Sequence, residues 1–229
     1  MTLELLEAPV QRDNLFMRKI IALCSALLFA VALFATTFSM PRVQPAGAYV
    51  AHDVHPQEHL ALGVDPYDTK DKAKIFSINW AEHGIVPILV VVSNDGDKPA
   101  SLVDGNFEFV TRSREKLQPM SEGDLYRALT KIKNPATGPH IILTPPKRPK
   151  GGVTEKQQDE IEQAMFKAKA VEPHGSQAGF LFFQVGDDPH PVKGAHLYLS
   201  GVRDSSGHET MFFEISFDKM PLPSGSAED

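Results

Sequence analysis

The sequence has almost no cysteine. Its only cysteine, Cys24, lies near the start of a long apolar segment. The part of the chain after that segment has no thiol, which excludes a disulfide, a thiolate nucleophile and a cysteine-ligated zinc site there. Residues 21–23, which precede Cys24, make a poor lipobox, so we do not expect a lipid-modified cysteine.

The sequence also lacks an excess of positive charge and the common catalytic motifs. It has 23 Lys and Arg against 29 Asp and Glu, a net charge of −6. This argues against nucleic acid and anionic lipid as partners, since both require clustered positive charge. There is no glycine-rich phosphate loop and no G-x-S-x-G elbow, and carboxylate pairs such as Glu160 and Glu162 are spaced as solvated surface. We therefore predict a protein that is not an enzyme and has no cofactor.

One long hydrophobic run is present, at residues 20–38, directly after Arg18 and Lys19. A basic pair followed by a long apolar segment directs a chain into the export machinery. We expect the rest of the chain to be periplasmic, or membrane-anchored and facing the periplasm or exterior. The leader before Met17 is acidic, unlike a signal sequence, so we hypothesise that Met17 is the functional start.

The sequence leaves two fates open for residues 1–48. Ala46-Gly47-Ala48 is an A-x-A cleavage pattern, and cleavage after Ala48 would produce a mature chain that begins at Tyr49. The apolar run, however, approaches the roughly 20 residues of a spanning helix. It could therefore stay attached as a single-pass anchor, and residues 20–38 would then be the only membrane contact.

Residues 49–63 are polar and rich in histidine, and we expect them to form a flexible arm. His52, His55 and His59 are imidazole ligands suited to Cu(II) or Zn(II), which predicts a low-affinity metal site. The last two match the H-x-x-E-H spacing of zinc peptidases, but Pro56 prevents both from lying on one helical face. A metal-binding protein is thus an alternative function, whereas a peptidase is not expected.

Residues 64–219 alternate short runs of β-branched and aromatic residues with polar turns. This pattern predicts a mainly β fold, an antiparallel immunoglobulin-like β-sandwich with two inserted helices. Residues 86–93 form the strongest strand, and residues 211–217 alternate strictly, with Phe213 and Ile215 on one face. The other predicted strands are residues 75–80, 106–112, 179–185 and 195–202.

Two helices are predicted within this domain. Ser121 begins the first, and a capping box of Thr154 and Gln157 begins the second, whose apolar stripe continues to Ala168. The linker between them carries the one basic cluster of an acidic chain, formed by Lys147, Arg148 and Lys150. This cluster predicts binding to an acidic surface of another envelope protein. We expect the tail, residues 220–229, to be disordered.

Four segments in a fixed order resemble a family of uncharacterised exported bacterial proteins. They are VDPYDTKDKAKIF (64–76), GIVPILVVVSNDGDKP (84–99), VEPHGSQAGFLFF (171–183) and AHLYLSGVRDSSGHE (195–209). The resemblance implies a signal or anchor segment followed by an immunoglobulin-like sandwich, and it implies no catalytic residue. We predict an exported binding or accessory module for another envelope protein; a single-pass anchored structural subunit of a membrane complex is a second alternative.

Overall fold

The computed structural model describes residues 38–130, 152–210 and 212–219. The chain divides into two compact units, Met1–Thr37 and Phe38–Asp229, and only the second contains described residues. The predicted leader, most of the apolar run, the linker with its basic cluster and the tail therefore lie outside the described residues. Within the part that is described, no helix has the length and apolar character needed to cross a membrane.

In the described residues, ten strands form three sheets. The strands are β1 (Ala51–His55), β2 (Leu60–Pro66), β3 (Ile85–Asn94), β4 (Ala100–Ser101), β5 (Asn106–Val110), β6 (Lys116–Leu117), β7 (Ala170–Val171), β8 (Gly175–Gln184), β9 (His196–Ser200) and β10 (Phe213–Ser216). The first sheet has the order β1-β2-β3-β8, the second has the order β10-β9-β5-β6, and β4 pairs with β7. All of these pairs are antiparallel, which confirms the prediction of a mainly antiparallel β fold and is consistent with a β-sandwich.

The first core lies between the two larger sheets. Alternate side chains of the second sheet point into it, as the period of a half-buried strand requires. These inward-facing side chains are Phe107, Phe109, Leu197, Leu199, Phe213 and Ile215. Strand β1 also approaches β10 at this core, because the Glu214 amide donates to Asp53 Oδ2 over 3.0 Å.

A second core covers the other face of the first sheet. Strand β3 is buried along its whole length, which explains its unbroken apolar sequence. The covering layer comes from the segment that precedes β1, from residues 76–80 and from the helices. Its members include Phe38, Ala46, Phe76, Trp80, Leu125 and Ile161.

The predicted flexible arm at residues 49–63 is wrong. Most of this segment forms the β1–β2 hairpin, with His55 opposite Leu60 and Ala51 opposite Val64. Strand β1 is an edge strand, and edges tolerate the polar and charged side chains that made the segment look like a solvated arm. The folded domain therefore starts before Val64, whereas the sequence predicts that it starts at Val64.

The described helices are α1 (Lys70–Ala73), α2 (Glu122–Thr130) and α3 (Glu155–Ala164). The capping box is confirmed, because the Gln157 amide donates to Thr154 Oγ1 over 3.3 Å and the Thr154 amide donates to Gln157 Oε1 over 3.0 Å. Helix α3 ends earlier than predicted, since the chain turns extended at Met165. The predicted strand at residues 75–80 is wrong, because this stretch enters a 3-10 turn, Trp80–His83.

Candidate functional site

A cleft lies where three loops meet at one end of the first sheet. Its walls are the β1–β2 turn, the β3–β4 turn and residues 204–210, and its volume is about 460 Å³. We call it the loop-end cleft. Clefts of roughly 300–1,000 Å³ are the usual size of ligand sites.

A buried asparagine fixes the β3–β4 wall. Asn94 is 1% exposed. Its amide nitrogen donates to the carbonyl oxygens of Lys98 (2.7 Å) and Val171 (3.1 Å), and its Oδ1 accepts from the Gly96 amide (2.9 Å). The Asp95 amide donates to His59 O over 2.8 Å, which joins this turn to the β1–β2 turn. The β1–β2 and β3–β4 walls are thus joined directly by a main-chain hydrogen bond.

The third wall is a hairpin closed by Asp204. Its Oδ1 accepts from the amides of Ser206 (2.8 Å) and His208 (2.9 Å). Hydrogen bonds from backbone amides, that of His208 first, lower the pKa of the Asp204 carboxyl because they stabilise its ionised form. Asp204 therefore stays negatively charged over the physiological range.

Among the charged residues that line the loop-end cleft, carboxylates are in the majority. Its carboxylates are Glu58, Asp97, Asp204 and Glu209. Lys98 is the one lysine or arginine among the residues that line it, which also include His59 and His208. An acidic cleft attracts a cationic group of a partner and repels an anionic one.

The structure does not bring the three predicted metal ligands together. His52 and His55 lie on opposite faces of β1, since side chains alternate along a strand. The His52 Nδ1 is 2.5 Å from Tyr49 O, whereas the His55 ring stacks on Phe213 with 4.1 Å between ring centroids. His59 alone lies in the loop-end cleft. Across the described ranges, no group of three or more His, Cys, Asp or Glu side chains is placed to hold a metal ion.

The predicted partner-binding residues Lys147, Arg148 and Lys150 lie outside the described residues. Their role stays a prediction. The turn at residues 94–99 forms one wall of the loop-end cleft. Sequence reasoning missed the cleft because its walls come from three distant segments.

A second cleft, of about 330 Å³, lies beside Trp80 and Asp68. The Trp80 indole N–H is buried and has no acceptor among the described residues. Burial disfavours the ionised carboxyl and raises the pKa of Asp68 above its ordinary value of 3.8. This effect outweighs the attraction of the Lys72 charge, which lowers the pKa. This cleft therefore places a partly desolvated carboxyl next to the only tryptophan of the chain.

The raised pKa of Asp68 predicts how the stability of the fold changes with pH. The folded state holds the Asp68 proton more tightly than the unfolded state, so stability is lost as pH rises through the folded pKa. We expect Asp68→Asn to be more stable than the parent at pH 7, and the difference to vanish near pH 3, in urea unfolding at both pH values. The control is Asp71→Asn, because Lys74 lowers the pKa of the exposed Asp71. The control should not be stabilised at pH 7; an Asp68→Asn variant no more stable than the parent at pH 7 would contradict the assignment.

Comparison with known proteins shows little similarity. No family model matches the chain and no curated protein does, so the family resemblance stays a prediction. Among solved structures, one match is YcdA of Bacillus subtilis, described as a candidate lipoprotein, with 13% identity and a TM-score of 0.32. It covers 69% of this chain, and this chain spans only 37% of YcdA. Another match is Northeast Structural Genomics Consortium target SoR45, with 7% identity, a TM-score of 0.32 and coverage of 76% of this chain and 99% of that one.

Proposed function

We propose that this protein is an exported envelope protein whose immunoglobulin-like β-sandwich binds another envelope protein, and that the partner binds at the loop-end cleft. The observation that carries the proposal is the cleft itself, an acidic concavity of about 460 Å³ between three loops. Loops at the ends of sandwich domains are frequent binding surfaces, because a rigid sheet positions them.

The hydrogen bonds of the cleft support binding. Asn94, Asp95 and Asp204 hold the three walls through main-chain contacts. A preorganised surface loses less conformational entropy when a partner binds, which favours affinity. The excess of carboxylates favours a partner that presents lysine or arginine side chains, and attraction between opposite charges also speeds association.

The exposure of the histidine–carboxylate pairs near the cleft favours binding over catalysis. The imidazole–carboxylate pairs at the cleft are open to water: the His208 and Asp204 side chains are 84% and 47% exposed, and the His174 and Asp97 side chains are 67% and 95% exposed. Acid–base catalysis depends on titratable groups that converge in a site from which water is excluded. These exposed pairs do not meet that requirement.

Photo-cross-linking in intact cells of the native host tests the proposal. A photoreactive amino acid replaces Ser206, an exposed residue of the cleft, or Glu162, an exposed residue of helix α3. We expect a discrete cross-linked protein from position 206 and none from position 162. Identical products from both positions, or none from position 206, would contradict the assignment.

The basic cluster of the linker is a second proposed contact. Lys147, Arg148 and Lys150 would bind an acidic surface, whereas the cleft would bind a basic one. Changing all three to Glu, with the probe kept at Ser206, separates the two surfaces. If the cross-link depends on the cluster and not on the cleft, the linker is the main interface.

A single-pass anchored structural subunit is the alternative function that one observation favours. Phe38 directly follows the rest of the apolar run and is buried in the domain. A domain that needs this residue keeps its connection to the apolar run.

A further inference from the structure

The segment that precedes β1 is part of the second core. Phe38 is 7% exposed. Its ring stacks on Phe76 with 5.4 Å between centroids and meets Phe180 edge-on at 6.4 Å. Phe76 and Phe180 are themselves buried in this core. Removal of Phe38 would expose part of an aromatic cluster that covers the first sheet.

The A-x-A pattern lies in a turn that packs on the sheet. Ala46–Ala48 form a 3-10 turn in which Ala46 is fully buried. The Ala46 amide donates to Ser93 Oγ on β3 over 2.8 Å. The Tyr49 amide donates to Ala46 O over 3.2 Å, so the peptide bond after Ala48 lies within this hydrogen-bonded turn.

The turn approaches the sheet so closely at Gly63 that a side chain would not fit there. A Cβ at Gly63 would clash with the Ala46 carbonyl oxygen and would lie 2.9 Å from Tyr49 Cδ2. The absence of a side chain at this position of β2 makes room for the backbone of the turn. Ala46, the first residue of the A-x-A pattern, thus has a packing role that is independent of any protease.

We infer that the chain is not cut after Ala48 and that the domain stays joined to the apolar run as a single-pass membrane anchor. Cleavage at Ala48 would remove Phe38 and Ala46 from a core to which both belong. This reverses the cleavage that the A-x-A pattern predicts. The other A-x-A match near the run, Ala30 to Ala32, lies inside the apolar residues themselves.

The first test uses the full chain in its native host. Signal peptidase requires a small residue immediately before the cut, so Ala48→Tyr blocks cleavage there, and the exposed position of Ala48 accommodates the change. We expect the parent and Ala48→Tyr to have the same N-terminus by mass spectrometry, with peptides from residues 38–48 present and the protein in the membrane fraction. A mature N-terminus at Tyr49 in the parent, or a soluble protein cut before Phe38, would overturn the inference.

The second test measures the contribution of the segment to folding. Phe38→Ala in the full chain should lower Tm by about 10 °C, because it removes a buried ring from a domain of this size. The control is Val43→Ala, since Val43 lies in the same segment and is 36% exposed; its Tm should change by no more than about 2 °C. Equal and small shifts in both variants would mean that the segment is not part of the fold.

Discussion

Phe213→Ala is expected to lower the free energy of unfolding by about 3–5 kcal/mol. Phe213 is fully buried between the two larger sheets. Its ring is held on one side by the His55 ring, which lies nearly parallel to it at 17°. Truncation to alanine therefore removes apolar contacts and leaves a cavity between the two packed sheets. Urea unfolding of the two proteins measures the difference.

The next residue along the same strand is the control. Glu214 points away from the core and its side chain is 46% exposed. It accepts a hydrogen bond from the Tyr198 hydroxyl over 2.7 Å, an interaction that solvent weakens. Glu214→Ala should change the free energy of unfolding by no more than about 0.5 kcal/mol. Losses of similar size at the two positions would show that both faces of β10 are covered.

Glu160→Ala is expected to cost about 3 kcal/mol of folding free energy, although a glutamate on a helix is usually a surface residue. Glu160 is 2% exposed. Its carboxylate accepts from the Ser77 amide (2.8 Å), the Ser77 hydroxyl and the Ile78 amide (3.3 Å). Alanine would leave these donors without their acceptor in a partly dry site, and unmade buried hydrogen bonds cost about 1–3 kcal/mol each.

Glu162→Ala is the matched control, because Glu162 lies on the same helix and is exposed. Its expected effect is within about 0.5 kcal/mol. Glu160→Gln should give an intermediate loss of folding free energy. The glutamine oxygen can still accept a hydrogen bond, but its NH₂ group would face the donors of Ser77 or Ile78 and could not accept from them. If Glu160→Ala unfolds at the same urea concentration as Glu162→Ala, residues 76–80 are not held to helix α3 in the way described.

Local patterns of the sequence were sufficient for much of the fold. The alternation around Phe213 and the apolar run of β3 correctly indicated strands, because burial on one or both faces leaves a direct signature. The Thr154–Gln157 capping box correctly indicated the start of helix α3, because its two hydrogen bonds are local. These features depend on neighbours within a few residues.

Features that depend on distant contacts were missed. Glu160 was expected to be solvated, and its burial follows from donors in residues 77–78, far away along the chain. The polar composition of β1 predicts a flexible arm, whereas the strand is stabilised by its pairing with β2. The packing of residues 38–48 on the first sheet has no local pattern, so the sequence alone leaves both cleavage and a retained anchor open for residues 1–48.

The loop-end cleft illustrates both cases. The Asn94 turn was recognisable from its Asn, Asp and Gly residues, which favour turns. Its position opposite the Asp204 hairpin was not recognisable, since the two segments are far apart in the sequence. The concentration of negative charge at the cleft is therefore a property of the fold. It does not follow from the net negative charge of the chain alone.

Charge neutralisation at the cleft is the most direct test of the proposed function. The cleft variant carries Glu58→Gln, Asp97→Asn and Glu209→Gln, and cross-linking is measured from the probe at Ser206 in intact cells. The control variant makes the same change in charge on helix α3, at the exposed residues Glu155, Asp159 and Glu162. We predict that the cross-linked product falls by about tenfold in the cleft variant, as three weak charge contacts would together give, and that it is unchanged in the control. Equal yields in the two variants would contradict binding at the loop-end cleft.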